Sequence, residues 1–193
     1  FGWGKINAFR AMKTLEDNRY LTSTISQGAT ATHNVTIPAN VKRARLMVYW
    51  HDKEASTAAA TAVVNNLNMT VTQGTSTYHP WVLNSAANAT TLALPATRTG
   101  TVDNLNNVEQ VAIDNPTAGT YTVNISAPTV PFGPQTYYLV WEFLTDDVMV
   151  TFPSGGEGLI PGATDRIHWD AYDSNGTFNV EVSTNNGTSW TTV

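Results

Sequence analysis

Two periodicities divide the chain. From Phe1 to Tyr20 the apolar residues Ile6, Phe9, Met12 and Leu15 recur every three positions, and Ala8 and Ala11 widen the stripe. Lys5, Arg10, Lys13, Glu16 and Asp17 fall mostly on the other side, which predicts an amphipathic helix of about three turns. Gly2 and Gly4 mark a tight loop ahead of it, and the helix is expected to lie on the surface and cover some core. From Leu21 the period is two. Ala44, Leu46, Val48 and Trp50 alternate with Arg43, Arg45, Met47 and Tyr49. Leu67, Met69 and Val71 alternate with Asn66, Asn68 and Thr70; Tyr121, Val123 and Ile125 with Thr120, Thr122 and Asn124; Leu139, Trp141 and Phe143 with Tyr138, Val140 and Glu142. Turn chemistry separates these half-buried strands at Asn115-Pro116, Ala118-Gly119 and Phe132-Gly133-Pro134.

Strands without helical patterns between them predict an all-β fold, an antiparallel sandwich or jelly roll with one N-terminal helix. A second break falls at Asp146-Asp147. Beyond it Val148, Val150 and Phe152 predict a short strand running into Pro153-Ser154-Gly155-Gly156-Glu157-Gly158. Ile167 and Trp169, then Phe178, Val180 and Val182, then the residues from Ser189 predict further strands. They are too few for a sandwich of about 100 residues, so this second module is expected to be cut short. The expected division is 1–20, 21–145 and 146–193.

Composition narrows the chemistry. Of 193 residues 13% are charged, about half the usual ~25%. Thr, Asn, Ser and Ala take the place of the missing charge. Ten basic against fifteen acidic residues give a net charge of -5. That balance argues against nucleic-acid binding, which needs clustered Lys and Arg. No stretch approaches the ~18 to 20 apolar residues of a membrane span. No signal peptide opens the chain, so any export signal is expected to lie upstream or to have been removed. The lack of cysteine excludes disulfides, thiolate zinc sites and cysteine nucleophiles. The same Thr- and Asn-rich, cysteine-free balance suggests an exported bacterial protein, placed outside the cell or on its surface.

Catalytic candidates are thin. The histidines are His33, His51, His79 and His168. His51 ends a strand beside Asp52, which could orient its ring, and His168 alternates with Trp169 and is expected to face solvent. No nucleophile accompanies either, and there is no Gly-x-Ser-x-Gly elbow. The pairs Asp52 with Glu54 and Asp146 with Asp147 are neighbours in sequence, not groups facing each other across a cleft. Intrinsic catalysis is therefore not expected. Oxygen-rich loops are better candidates, because calcium takes carboxylate, amide and carbonyl oxygens. Asp52, Asn66, Asn68, Asp103 and Glu109 form the candidate calcium set; Asp103 nears Glu109 only if the loop between them folds back. The plainer reading is that these Asn and Asp side chains shape turns. Tyr78 and Trp81 could form a glycan-stacking platform or cover the core edge. The sequons at Asn34, Asn88 and Asn186 carry no weight in a chain this rich in Asn and Thr.

Several segments together resemble a family. Gly2-Trp3-Gly4-Lys5-Ile6-Asn7-Ala8 resembles the closing helix of subtilisin-like serine protease catalytic domains, Gly-x-Gly-x-Ile/Val-Asn-Ala. The blocks that follow resemble, in order, the β-sandwich appended to many such proteases. They are the strand ending Trp50-x-Asp52; Val64-Asn65-Asn66-Leu67-Asn68; Asp103-x-x-Asn106-Asn107-Val108-Glu109; Gly119-x-Tyr121; and Gly133-Pro134-Gln135. That resemblance implies a jelly roll similar to the P domain of proprotein convertases, which packs on the protease domain, stabilises it and in some members binds calcium. Here the family's Asn-Asp-Leu-Asp block reads Asn65-Asn66-Leu67-Asn68. Two carboxylates have become amides, which still offer oxygen but no charge.

The tail resembles the immunoglobulin-like modules of secreted Bacteroidetes proteins, through Phe152-Pro153-x-Gly155-Gly156-Glu157 and Ile167-x-Trp169. Ser183-x-Asn185-x-Gly187-x-Ser189-Trp190 is close to an Asp-box hairpin, a shaping motif rather than a catalytic one. Taken together, the resemblance implies a non-catalytic C-terminal part of a secreted subtilisin-like endopeptidase. Residues 1–20 would be the last helix of the catalytic domain, 21–145 the jelly roll and 146–193 a partial immunoglobulin-like sandwich. Its partner would be the protease domain of the same polypeptide. The alternative is an independent carbohydrate- or protein-binding module with a glycan or cell-surface contact.

Overall fold

The computed structural model describes residues 6–82, 102–171 and 176–193. Gly2 to Lys5 of the helix motif and the Asn88 sequon lie outside them. Asn7 starts helix α1 (Ala8–Glu16): its backbone is extended and its side-chain oxygen accepts from the Arg10 amide at 3.0 Å. That bond satisfies one of the amides a helix start leaves free. No residue of α1 is buried: Met12 and Leu15 are 48% and 60% exposed, and Phe9 is half-buried. The segment is tied down just after the helix instead. The Arg19 carbonyl accepts from the Trp141 amide at 3.0 Å, and the Arg19 guanidinium lies 4.8 Å over the Phe143 ring.

As far as Thr145 the chain is otherwise antiparallel β-structure. The strands are β1 (Tyr20–Ile25), β2 (Thr30–Ile37), β3 (Val41–Trp50), β4 (Asn66–Gln73), β5 (Ser76–Tyr78), β6 (Val108–Asp114), β7 (Gly119–Thr129) and β8 (Gln135–Thr145). They form two four-stranded sheets, ordered β1-β8-β3-β6 and β2-β7-β4-β5. Every connection except the β4–β5 hairpin crosses from one sheet to the other. The alternation decides which faces meet. Ala44, Leu46, Val48 and Trp50 of one sheet, and Leu67, Met69, Val71, Tyr121, Val123 and Ile125 of the other, are all 0% exposed and share one core. Thr30, Thr32, Asn34 and Thr36 line the outer face of β2, where Thr32 donates to Asn124 across the strand pair. Thr suits a pleated, half-solvated surface, which is how the chain does without charge. Among the aromatic residues of these strands, Trp50 and Tyr137 are buried, Trp141 is half-buried and Tyr49 faces outward at 41% exposure.

The chain divides into two compact units, Phe1–Thr145 and Asp146–Val193. In the second, β9 (Met149–Phe152) pairs with β10 (His168–Asp170), and β11 (Glu181–Val182) with β12 (Thr191–Thr192). The strand expected from Phe178 shortens to β11, extended by one bond from the Val193 amide to the Val180 carbonyl. Between β11 and β12 the Ser183 hydroxyl accepts from the Gly187 amide at 2.8 Å, and Asn185 Oδ1 accepts from the Ser189 amide at 2.9 Å. Asn185 thus closes the hairpin from the position an aspartate holds in the Asp-box pattern.

Leu67→Ala, in the centre of the shared core, is expected to cost about 3 kcal/mol of unfolding free energy, and Thr32→Ala on the outer face about 0.5 or less. Urea titration of both variants checks the contrast.

Candidate functional site

One end of the two-sheet unit gathers its polar side chains, because β3 ends there and β4, β6 and β8 begin there. Asp52 follows β3 and its carboxylate serves the backbone: Oδ1 accepts from the Asn65 amide at 2.8 Å and from the Lys53 amide at 2.9 Å, and Oδ2 from the Val64 amide at 2.7 Å. This pins the long β3–β4 loop at its base. The Trp50 indole donates to the Asn65 carbonyl at 2.7 Å. The Asn65 side chain, 2% exposed, donates to Gln135 Oε1 at 2.7 Å and to the Phe132 carbonyl at 3.0 Å. Gln135 in turn donates to the His51 carbonyl at 3.1 Å. Burying such amides costs little only when their bonds are complete, and here they tie three strand ends together.

The second cluster lies where the 102–107 loop meets β4. The loop does fold back. Asp103, fully buried, accepts from the Leu105 amide at 2.8 Å, the Asn106 amide at 3.3 Å and the Asn106 side chain at 2.7 Å. Glu109 also is fully buried. It stands on the apolar parity of β6, with Val111 and Ile113, and reaches across to the other sheet, where Oε2 accepts from the Met69 amide of β4 at 2.5 Å. Its other oxygen, Oε1, is buried without a hydrogen-bond partner, as is Asn66 Oδ1. The Asn66 amide group donates to Asn104 Oδ1 at 2.7 Å and to Asn68 Oδ1 at 3.3 Å. Burial pushes the Glu109 carboxyl up to about 8; the hydrogen bond from the Met69 amide opposes this and the negative charge of Asp103 adds to it.

Of the five residues expected to hold calcium, Asn66 and Asn68 therefore meet through a hydrogen bond, and Asp103 and Glu109 through their charges. Asp52 is committed to the β3–β4 loop. Among the described residues no three His, Cys, Asp or Glu side chains converge on a point, so any cation here would rest on Asp103, Glu109 and neutral amide oxygens. The donor set is all oxygen, and two of its oxygens are buried and unused, which is the chemistry a hard cation takes. Asn104, Asn65 and Gln135 lie within the sequence blocks above without being among the five expected ligands. The signal was there for two of them: Asn65 shares the parity of Leu67 and Met69, and Gln135 that of Tyr137 and Leu139, so each is a polar residue on an inward register.

The other candidates separate. His51 is exposed, and the Asp52 carboxylate beside it is hydrogen-bonded to amides, not to the ring. His168 and Trp169 are both exposed. His33 meets the Tyr137 hydroxyl at 2.7 Å between the sheets, and burial pulls its pKa down. Tyr78 and Trp81 are half-buried, Tyr78 tilted against Tyr121 with ring centres 6.1 Å apart. No family model matches the chain, and no curated protein is similar enough to match it. Among the described residues no helix is long and apolar enough to cross a membrane.

A carboxyl whose pKa is raised in the folded state stabilises that state below its unfolded value near 4.5 and loses the contribution as pH rises through about 8. Metal-free protein is therefore expected to lose stability between pH 5 and 8, and Glu109→Gln to flatten that slope. Urea midpoints measured in EDTA across this range check it.

Proposed function

We propose that this chain is a non-catalytic accessory part of an exported bacterial subtilisin-like serine endopeptidase, with residues 21–145 forming a P-domain-like jelly roll. One observation carries the fold half of this reading: eight antiparallel strands ordered β1-β8-β3-β6 against β2-β7-β4-β5, with all but one connection crossing between sheets. Two interlocked four-strand Greek keys produce that order. The family half rests on the ordered sequence blocks, several of which carry the polar end of the sandwich: Trp50-x-Asp52, Asn65 to Asn68, Asp103 to Glu109, and Gln135. The non-catalytic reading rests on how these side chains are engaged, since Asp52, Asn65 and Gln135 are occupied in holding strand ends.

In this reading the module binds calcium through Glu109 and Asp103, with Asn66, Asn68 and Asn104 as neutral oxygen donors. The ion would supply the charge compensation that the buried Glu109 carboxylate lacks, and would join β6 to the β4 edge across the sandwich. The exposed stripe of α1 is the surface that would meet the protease domain, and residues 146–193 would be an immunoglobulin-like spacer.

Two outcomes test this. Calcium at about 100 times its Kd should raise unfolding free energy by about 2.7 kcal/mol over EDTA, and Glu109→Gln should abolish the gain; an unchanged thermal midpoint removes the cation. The coding sequence ahead of Phe1 should contain the family's Gly-Thr-Ser nucleophile segment, and a sequence without it removes the protease reading while leaving the cation test standing.

A further inference from the structure

The side of the sandwich where β1 and β2 lie is closed differently from the rest. β1 is the outermost strand of one sheet and β2 of the other. Their inward positions include two half-buried polar residues, Ser23 and His33, where β3, β4 and β7 carry apolar ones. The His33 ring stands edge-on to Tyr137 of β8, centres 5.9 Å apart, with Nε2 2.7 Å from the phenol oxygen. Tyr137 is fully buried, and Ser23, its register partner on β1, hydrogen-bonds to the same hydroxyl. One phenol oxygen thus joins β1, β8 and β2 across the two sheets.

We propose that His33 is an acid-released catch: neutral, it fastens edge strand β2 to the opposite sheet; protonated, it lets β1 and the first half of β2 loosen while the inner strands hold. The proton count gives the direction. A phenol has one hydrogen to donate, so with Nε2 bare Tyr137 donates to the ring and accepts from Ser23. When Nε2 gains a proton both bonds must reverse, and a positive charge then sits between the sheets. No carboxylate receives it. β1, β2 and β7 hold no acidic or basic residue besides His33. On β8, Glu142 has the opposite parity to Tyr137 and is bound by Arg45 at 2.8 Å. Glu109 faces the core from β6, the far edge of the same sheet, and accepts from Met69. The Tyr121 hydroxyl of β7 donates to the Thr117 carbonyl at 3.0 Å. Burial already lowers the proton affinity of the imidazole. In the first half of β2 only Ala31 shares its inward side, so little else holds that stretch to the opposite sheet once the ring turns out to water.

A contribution of this sign is complete above the free imidazole value of 6.5 and is lost as pH falls through the lower folded value. Between the two, the opening equilibrium of this edge should rise about tenfold per pH unit. Hydrogen exchange on the whole chain in EDTA reads it locally. From pH 7 to pH 5, corrected for intrinsic exchange rates, amides of β1 and of residues 30–34 should lose protection while those of β3 and β4 keep theirs. His33→Gln keeps a hydrogen-bonding group that does not titrate, and should abolish the loss. Glu109 is present in both chains, so its opposite pH slope cancels from the comparison. Proton NMR of the wild-type chain needs no variant, and should show the His33 ring titrating below 6.5. A ring that titrates at or above 6.5, an acid loss spread evenly over all strands, or an equal loss in His33→Gln overturns the proposal.

Discussion

The burial of one apolar face from each of two four-stranded sheets is the constraint from which the rest of residues 20–145 follows. Each strand contributes every second side chain to the shared core, and a shift of one residue in any register would turn that set outward. With Leu46, Val48, Leu67, Met69, Val123 and Ile125 fully enclosed, such a slip would return several large side chains to water, at about 1.5–3 kcal/mol each. That penalty fixes the pairing, and the pairing fixes where every loop begins.

Polar chemistry collects where this arrangement leaves backbone groups without partners. β5 pairs with only the second half of β4, from Val71 onward, so among the described strands none pairs with β4 beside Met69 on that side. Glu109 reaches it from the opposite sheet. A carboxyl is an expensive way to satisfy one amide, because enclosure opposes its charge and one of its oxygens gains nothing. At the neighbouring strand ends Asp52, Asn65 and Gln135 do similar work with their bonds complete. The contrast is between a finished network and one in which Glu109 and Asn66 each keep a buried oxygen without a partner.

The two units show how much a second sheet face matters. Both are built of antiparallel strands, up to 11 residues long in the first and 2 to 4 in the second. In the first, two faces meet and exclude water; in the second, two hairpins of two strands each hold apolar side chains that have too little to pack against. Paired strands without a covering layer are marginal in water, whatever the local propensity. The exposed stripe of α1 belongs to the same problem at smaller scale: an apolar face written in the sequence with nothing in residues 8–16 to cover it.

Periodicity alone determined the strand character and the inward residues of β3, β4, β7 and β8, since a period of two has one meaning when one face is buried. It also placed the helix and the change of character after Thr145. It was silent on β1 and β2, where Thr, Asn34 and Tyr20 hold the outer positions and the inward ones mix Leu21, Ile25, Ala31, Val35 and Ile37 with Ser23 and His33. The meeting of Glu109 with Met69, some forty residues apart in sequence, was not legible either. Glu109 shares the parity of Val111 and Ile113, which could have marked it as inward, but which amide it serves depends on how far β5 extends along β4. Local pattern follows from side-chain geometry along one strand. Contacts between sheets follow from which strands become neighbours, and only closure of the whole core selects those.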